Sequence, residues 1–273
     1  MKIINSAEII RVVADLCLKA NCNLRLDILR KLKAAYKTEK NPKAKKALAA
    51  IIENARIAAK EKLAICQDTG LPIVFIELGQ DIRITGDLKQ AVLQGIEQGY
   101  KKGNFRESII SDPVARGKSS YLGAVIHTDI VQGDKLKITV LPKGFGCENK
   151  SQLKMLNPTA GEDQIKKFII QAVKSAGPDA CPPYVVGVGI GGSSDYAGFL
   201  AKAALLKNVN AKRSKLERDL EKETSKLNIG PMGLGGKVTC LAVRVKSFPT
   251  HIAGLPVAVN ISCHALRSAS AIL

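Results

Sequence analysis

A change of apolar rhythm near residue 63 narrows the fold more than any other feature of this sequence. From Ser6 to Lys62 apolar residues recur at helical spacing, with breaks near Asn21–Cys22 and at Asn41–Pro42. Beyond that point strand-length and helix-length runs alternate. "LAICQDTGLPIVFIELG" (63–79) reads as strand, turn and strand, which puts Cys66, Gln67 and Asp68 at a corner where a thiol and a carboxylate share a small space. A helix from Asp87 to Lys102 follows, then an ordered loop over 103–119. Next is a hairpin about Gln132-Gly133-Asp134 in "YLGAVIHTDIVQGDKLKITVLPK". Thr159 is the expected N-cap of a helix reaching about Ser175, with Glu162 as its capping-box partner. A strand at 184–190, two helices across 193–226, a strand near 237–246 and an apolar run at 256–261 complete the pattern. The expectation is an α/β protein, with a helical N-terminal segment (1–62) and an α/β region with mixed sheets (63–273).

Composition excludes several classes. With 46% hydrophobic residues the chain is globular, and no window approaches the ~20 apolar residues that a bilayer crossing needs. The opening "MKIINSAEIIRVVADLCLKA" carries Glu8, Arg11 and Asp15, so it reads as an amphipathic helix rather than a signal peptide, and the expected compartment is the cytoplasm. Seven cysteines, at 17, 22, 66, 147, 181, 240 and 263, form no compact framework and are expected as reduced thiols. Cys17, Cys22 and Cys240 lie inside apolar runs and read as small core residues. The net charge of +18 suits an acidic substrate, an acidic partner or nucleic acid, but much of it lies on the polar faces of predicted helices. With 4% aromatic residues and no Trp, base-stacking platforms are not expected, and neither nucleic acid nor membrane is an expected partner.

Three glycine-rich turns stand out. Gly187, Gly189 and Gly192 form a GxGxxG between strand and helix, but a second charged helix follows where a dinucleotide site requires a strand ending in a carboxylate. The nicotinamide reading fails there. "PKGFGCENKSQLKML" brings Asn149 and Lys150 beside exposed backbone, and "IGPMGLGGK" ends in Lys237, so together the turns suggest a pocket rich in N–H donors and positive charge. Cys66, Cys181 and Cys263 share a context, each at the mouth of a strand beside a turn or polar residue. Thiolates there could ligate iron or zinc, although no CxxC occurs. Of the histidines, His251 follows a Pro-Thr turn and is open to either role, whereas His127 and His264 read as structural.

"ICQDTG", "PKGFGCENK", "ACPPYVVGVGIGG", "NIGPMGLGGK" and "THIAGLPVAVNISCHA" resemble, in order across roughly residues 45–270, the α region of the oxygen-sensitive iron–sulfur hydro-lyases, the class I fumarases and L-tartrate dehydratases. The resemblance implies a [4Fe–4S] cluster on Cys66, Cys181 and Cys263, with one iron open to substrate as a Lewis acid. It implies that Asp68 and His251 handle the proton of the departing or arriving water, and that Gln67 hydrogen-bonds a dicarboxylate substrate. Arg106 would clamp a carboxylate and Gly144 or Gly146 would offer backbone contacts, with Asn149, Lys150 and Lys237 in shared motifs. The second, β-type domain of single-chain relatives has no counterpart here. The expectation is therefore an α subunit, residues 1–273 forming its catalytic domain, partnered by a β subunit with two α and two β chains. Fumarate hydration leads L-tartrate dehydration as the expected activity. A basic nucleic-acid-binding protein with structural zinc is the distant alternative, lacking the close Cys/His pairs it needs. Cys147 stands where many relatives carry Ser or Gly.

Overall fold

Asn5 turns the chain from strand into helix: its side-chain oxygen accepts the Glu8 N–H at 2.8 Å, satisfying a donor that a helix start leaves open. The computed structural model describes residues 2–273. In it β1 (Lys2–Asn5) precedes three helices, α1 (Ser6–Cys22), α2 (Leu26–Thr38) and α3 (Pro42–Glu61). Then come β2 (Leu71–Gly79), β3 (Ile82–Thr85), α4 (Leu88–Lys102), β4 (Ile109–Asp112), β5 (Arg116–Ser120), β6 (Val125–Val131), β7 (Leu136–Lys143) and the single turn α5 (Phe145–Glu148). The chain continues through β8 (Gln152–Leu156), α6 (Gly161–Ala176), β9 (Tyr184–Gly191), α7 (Ser194–Ala204), α8 (Lys215–Ser225), β10 (Cys240–Phe248), β11 (Leu255–Ser262) and β12 (Ala269–Ile272). Helices and mixed sheets after a largely helical N-terminal segment make this the expected α/β class, although Lys2–Asn5, expected to be helical, instead pair with β3 as a parallel strand.

Two units share the chain. Unit 1 consists of the segment ending at Leu24, Ala55–Phe145 and Arg267–Leu273; unit 2 consists of Arg25–Asn54 and Gly146–Leu266. In unit 1 the sheet order is β12-β7-β2-β6. The expected hairpin is therefore absent: β6 and β7 do not pair, because β2 lies between them, parallel to β6 and antiparallel to β7. β2 is apolar on both faces and takes a central position, whereas half-exposed β6 becomes an edge. Residues 63–70 form no strand, so the expected first strand of 63–79 is also absent. Asp68 binds the Gly70 N–H at 2.9 Å, a local bond that competes with a ladder. The expected loop at 103–119 contains the β4–β5 hairpin, whose turn Asp112 holds by accepting from the Val114 and Ala115 N–H groups at 2.8 and 2.9 Å. Helices α1 and α4 approach at Gly95 and Gly99, where a Cβ would lie 2.7 Å from the Ile10 carbonyl and 2.6 Å from that of Ala14. Cys17 is buried at this crossing and desolvation pushes its thiol up to about 12. The His127 ring lies 5.3 Å from Phe75, its neighbour across β2–β6, in keeping with a structural role.

In unit 2 the order is β10-β9-β11-β8, with only the β9–β10 pair parallel. The glycines of the GxGxxG are packing residues. A Cβ on Gly187 or Gly189 would sit 2.1 and 2.0 Å from the Ala201 and Ala197 carbonyls of α7, so only glycine lets helix and strand meet. Thr159 does not cap α6: its hydroxyl donates to the Asn157 side chain at 2.7 Å, and the cap position falls to Ala160. Helix α2 buries Ile28, Leu32 and Ala35 and exposes Lys33 and Lys37, a solvated basic face as expected. On β10, Arg244 is 2% exposed and donates to Glu217 and to the carbonyls of Asn208, Ala211 and Lys212. No helix is long and apolar enough to cross a membrane, among the described residues.

Candidate active site

In unit 1 the Cys66–Asp68 corner is shaped by backbone hydrogen bonds, as its lack of regular structure requires. Buried Tyr100 of α4 donates to the carbonyl of Thr69 at 2.8 Å and lies 3.3 Å from that of Gly70; desolvation pushes its phenol well above the usual range. Thr69 in turn donates to the Arg106 carbonyl at 3.4 Å, tying the arginine's segment to the corner. The Asp68 carboxylate accepts from Gly70 N–H through one oxygen and from Phe145 N–H at 2.7 Å through the other. A Cβ on Gly144 would lie only 3.2 Å from that second oxygen. The Cys66 thiol reaches the Gln67 amide oxygen at 3.3 Å. Unit 1 thus gathers Cys66, Gln67, Asp68 and Gly144, with Arg106 attached through Thr69.

In unit 2 the loop bearing Cys181 is held from several directions. Cys181 has a left-handed φ of 53°, and its carbonyl lies 3.0 Å from the His264 ring Nδ1 and 3.4 Å from the His264 backbone N–H. Cys147 donates to the Ala180 carbonyl at 3.4 Å, and Lys150 pairs with Asp179 at 3.0 Å. This gives Cys147 a place in the core beside the loop. Cys263 accepts the Ala265 N–H at 3.4 Å. His264, expected to be structural, therefore joins the Cys181 and Cys263 segments. Asn149 and Gly146 are exposed at α5.

His251 occupies an exposed turn of unit 2. Its Nδ1 accepts the Ala253 N–H at 3.2 Å, so in the neutral ring the other nitrogen carries the proton. Lys237 has an exposed side chain on a backbone tied down by an unexpected residue, Glu39. This carboxylate, 4% exposed, accepts from Lys40 and Asn41 N–H at 2.9 Å and from Lys237 N–H at 2.8 Å. No local pattern marks Glu39, because its decisive partner lies 198 residues away. Glu39→Ala removes the acceptor of these partly buried donors. It is expected to cost roughly 2–3 kcal/mol and several degrees of Tm in thermal unfolding; an unchanged Tm would contradict the tether.

Burial sorts the cysteines. Cys17, Cys22, Cys147 and Cys240 are buried, whereas Cys66, Cys181 and Cys263 are partly exposed. Among the described residues no three His, Cys, Asp or Glu side chains stand together as the shell of a single ion. Accessible thiols on loops, one with an N–H to its sulfur, would suit an iron–sulfur cluster as donors.

A family model described as Fumarate hydratase (Fumerase) matches residues 10–272. A Methanocaldococcus jannaschii chain provisionally named L(+)-tartrate dehydratase subunit alpha is 37% identical over 272 residues, covering 94% of this chain and 95% of that relative. The L(+)-tartrate dehydratase subunit alpha of Escherichia coli strain UTI89 is 30% identical, covering 95% and 89%; that of strain K12 is 29% identical with the same coverage.

Proposed function

This chain belongs to the Fumerase family and is a hydro-lyase; from that premise we propose that it is the α subunit of a two-subunit [4Fe–4S] fumarate hydratase, interconverting fumarate and (S)-malate. The observation that carries the reading is the division of the cysteines, with the three proposed ligands partly exposed and the other four buried. When bound, the cluster supplies a Lewis-acidic iron that polarises the substrate hydroxyl. Cys66, Cys181 and Cys263 would hold it. Asp68, with both oxygens on backbone N–H groups, keeps lone pairs for the proton of the water, and His251 presents its second nitrogen for the same transfer. Gln67 and Arg106 bind the carboxylates of the substrate, Gly144 and Gly146 give it backbone contacts, and Asn149, Lys150 and Lys237 add polar and cationic contacts. Lys150 is also paired with Asp179, which orients its ammonium beside the Cys181 loop.

Near-complete coverage of relatives named as α subunits supports a β partner. The proposed assembly has two α and two β chains, and the thiol-rich site suits the reducing cytoplasm. On this reading residues 1–273 act as one catalytic domain. The names of those relatives favour a second reading, dehydration of L-tartrate to oxaloacetate, which differs from the first by one substrate hydroxyl. The anaerobically reconstituted α–β complex is expected to be brown, to convert malate faster than L-tartrate, and to lose activity when the β chain is omitted. A preference for tartrate selects the second reading, and full activity of the α chain alone refutes the partnership.

A further inference from the structure

Arg267, in unit 1 just before β12, is 3% exposed. One guanidinium nitrogen donates to the Asp68 carbonyl; Nε has no hydrogen-bond partner, and no carboxylate pairs with the group among the described residues. The protein's other deeply buried guanidinium, Arg244, also has an unpartnered Nε, but its charge is treated differently: it is matched by Glu217 and ringed by carbonyls. Burying a cation without a counter-charge is costly, and removing water from it makes any nearby anion more attractive. The Arg267 charge is already felt at the Tyr100 phenol behind the corner. The surrounding "HALRSASA" contains no acid.

We propose that Arg267 is the buried cation of this site: a positioning residue that fixes the Asp68 backbone and whose unmatched charge is met by the C4 dicarboxylate bound at the Cys66–Asp68 corner. The inference rests on the reading of that corner as part of the active site. It assigns Arg267 a different job from exposed Arg106, proposed above to bind substrate directly, whereas Arg267 acts through the backbone and through its field.

The test uses the α–β complex as wild type, Arg267→Met and Arg267→Lys. Stripped of iron, at fixed ionic strength, the wild type is expected to gain thermal stability from millimolar succinate, Arg267→Lys to gain part of it and Arg267→Met none. With iron and sulfide restored anaerobically, Arg267→Met is expected to raise KM for malate roughly 10- to 100-fold while kcat changes far less, with Arg267→Lys in between. No succinate effect in the wild type, an equal effect in Arg267→Met, or an unchanged KM overturns the proposal. A fall in kcat and Tm at constant KM, alike in both variants, also overturns it by reducing Arg267 to a structural part. If Arg267→Met does not fold, the same two measurements on Arg267→Lys against wild type decide. A wild type that takes up no iron and converts no hydroxy acid defeats the functional reading instead, and the succinate comparison still judges Arg267.

Discussion

Cys181→Ser and Cys263→Ser, each purified without oxygen together with the partner chain, are expected to lose most of their iron and sulfide and on the order of a thousand-fold in hydration rate. A serine hydroxyl stays protonated at neutral pH and gives iron a poor third ligand, while the loop that carries it has no reason to move. The control is Cys240→Ser. That thiol is buried, with its pKa pushed up to about 12 by desolvation, and it is not one of the proposed ligands. Replacing it puts a more polar hydroxyl in a buried position beside Thr224, which is expected to cost roughly 1–2 kcal/mol of stability while leaving the iron content intact. Iron and sulfide analysis with the brown absorbance checks both. Full iron in Cys181→Ser, or loss of iron in Cys240→Ser with the protein folded, would break the assignment.

Removing Glu217 should have the largest effect on folding. Its carboxylate accepts from Val245 N–H at 2.9 Å and Ser214 N–H at 2.8 Å and faces Arg244 at 3.3 Å. Glu217→Ala strands a buried guanidinium and these donors, and about 3–5 kcal/mol is expected to be lost in chemical unfolding. Acid should do the same more gradually. Burial pushes the Glu217 carboxyl up, but the two backbone N–H groups and Arg244 outweigh it, so the net shift is downward. Asp27 is likewise held low against its own burial, by Arg25 and the Val209 N–H. A carboxyl depressed on folding contributes stability that is complete above its unfolded value, near 4, and disappears as pH falls through the folded value. Tm is therefore expected to hold from pH 7 to about 5 and to drop below about 4, with a shallower acid drop in Glu217→Ala. An identical acid profile in the variant would contradict the linkage.

Much of this was legible locally. The N-terminal helices followed from apolar spacing and from breaks at Asn21–Cys22 and Asn41–Pro42, and the strand-mouth context separated Cys66, Cys181 and Cys263 from cysteines inside apolar runs. What could not be read depends on distant partners. "GAVIHTDIVQGDKLKITV" has every mark of a hairpin, yet a more apolar strand from fifty residues earlier takes the place between its arms. Strand β8 is five residues long and leaves Leu153 and Met155 exposed, and β12 is built largely of Ala and Ser, so neither stands out as a sustained apolar run. The Thr159 capping box did not form because Thr159 belongs to a turn in which the Asn157 side chain accepts both its N–H and its hydroxyl, and the helix starts only at Gly161. Glu39 and Arg267 carry no motif, since each is defined by a bond to a segment about two hundred residues away.

The interleaving of the two units also sets a timetable for synthesis. β12 pairs with β7 along the outer side of the unit 1 sheet, but it emerges from the ribosome only after every residue of unit 2. Unit 2 has its whole complement of strands once Leu266 is made, while unit 1 must wait with β7 unpaired on one side. The nascent chain thus keeps an open edge until Arg267 and β12 arrive together, and the same short segment that closes the sheet delivers the buried cation behind Asp68.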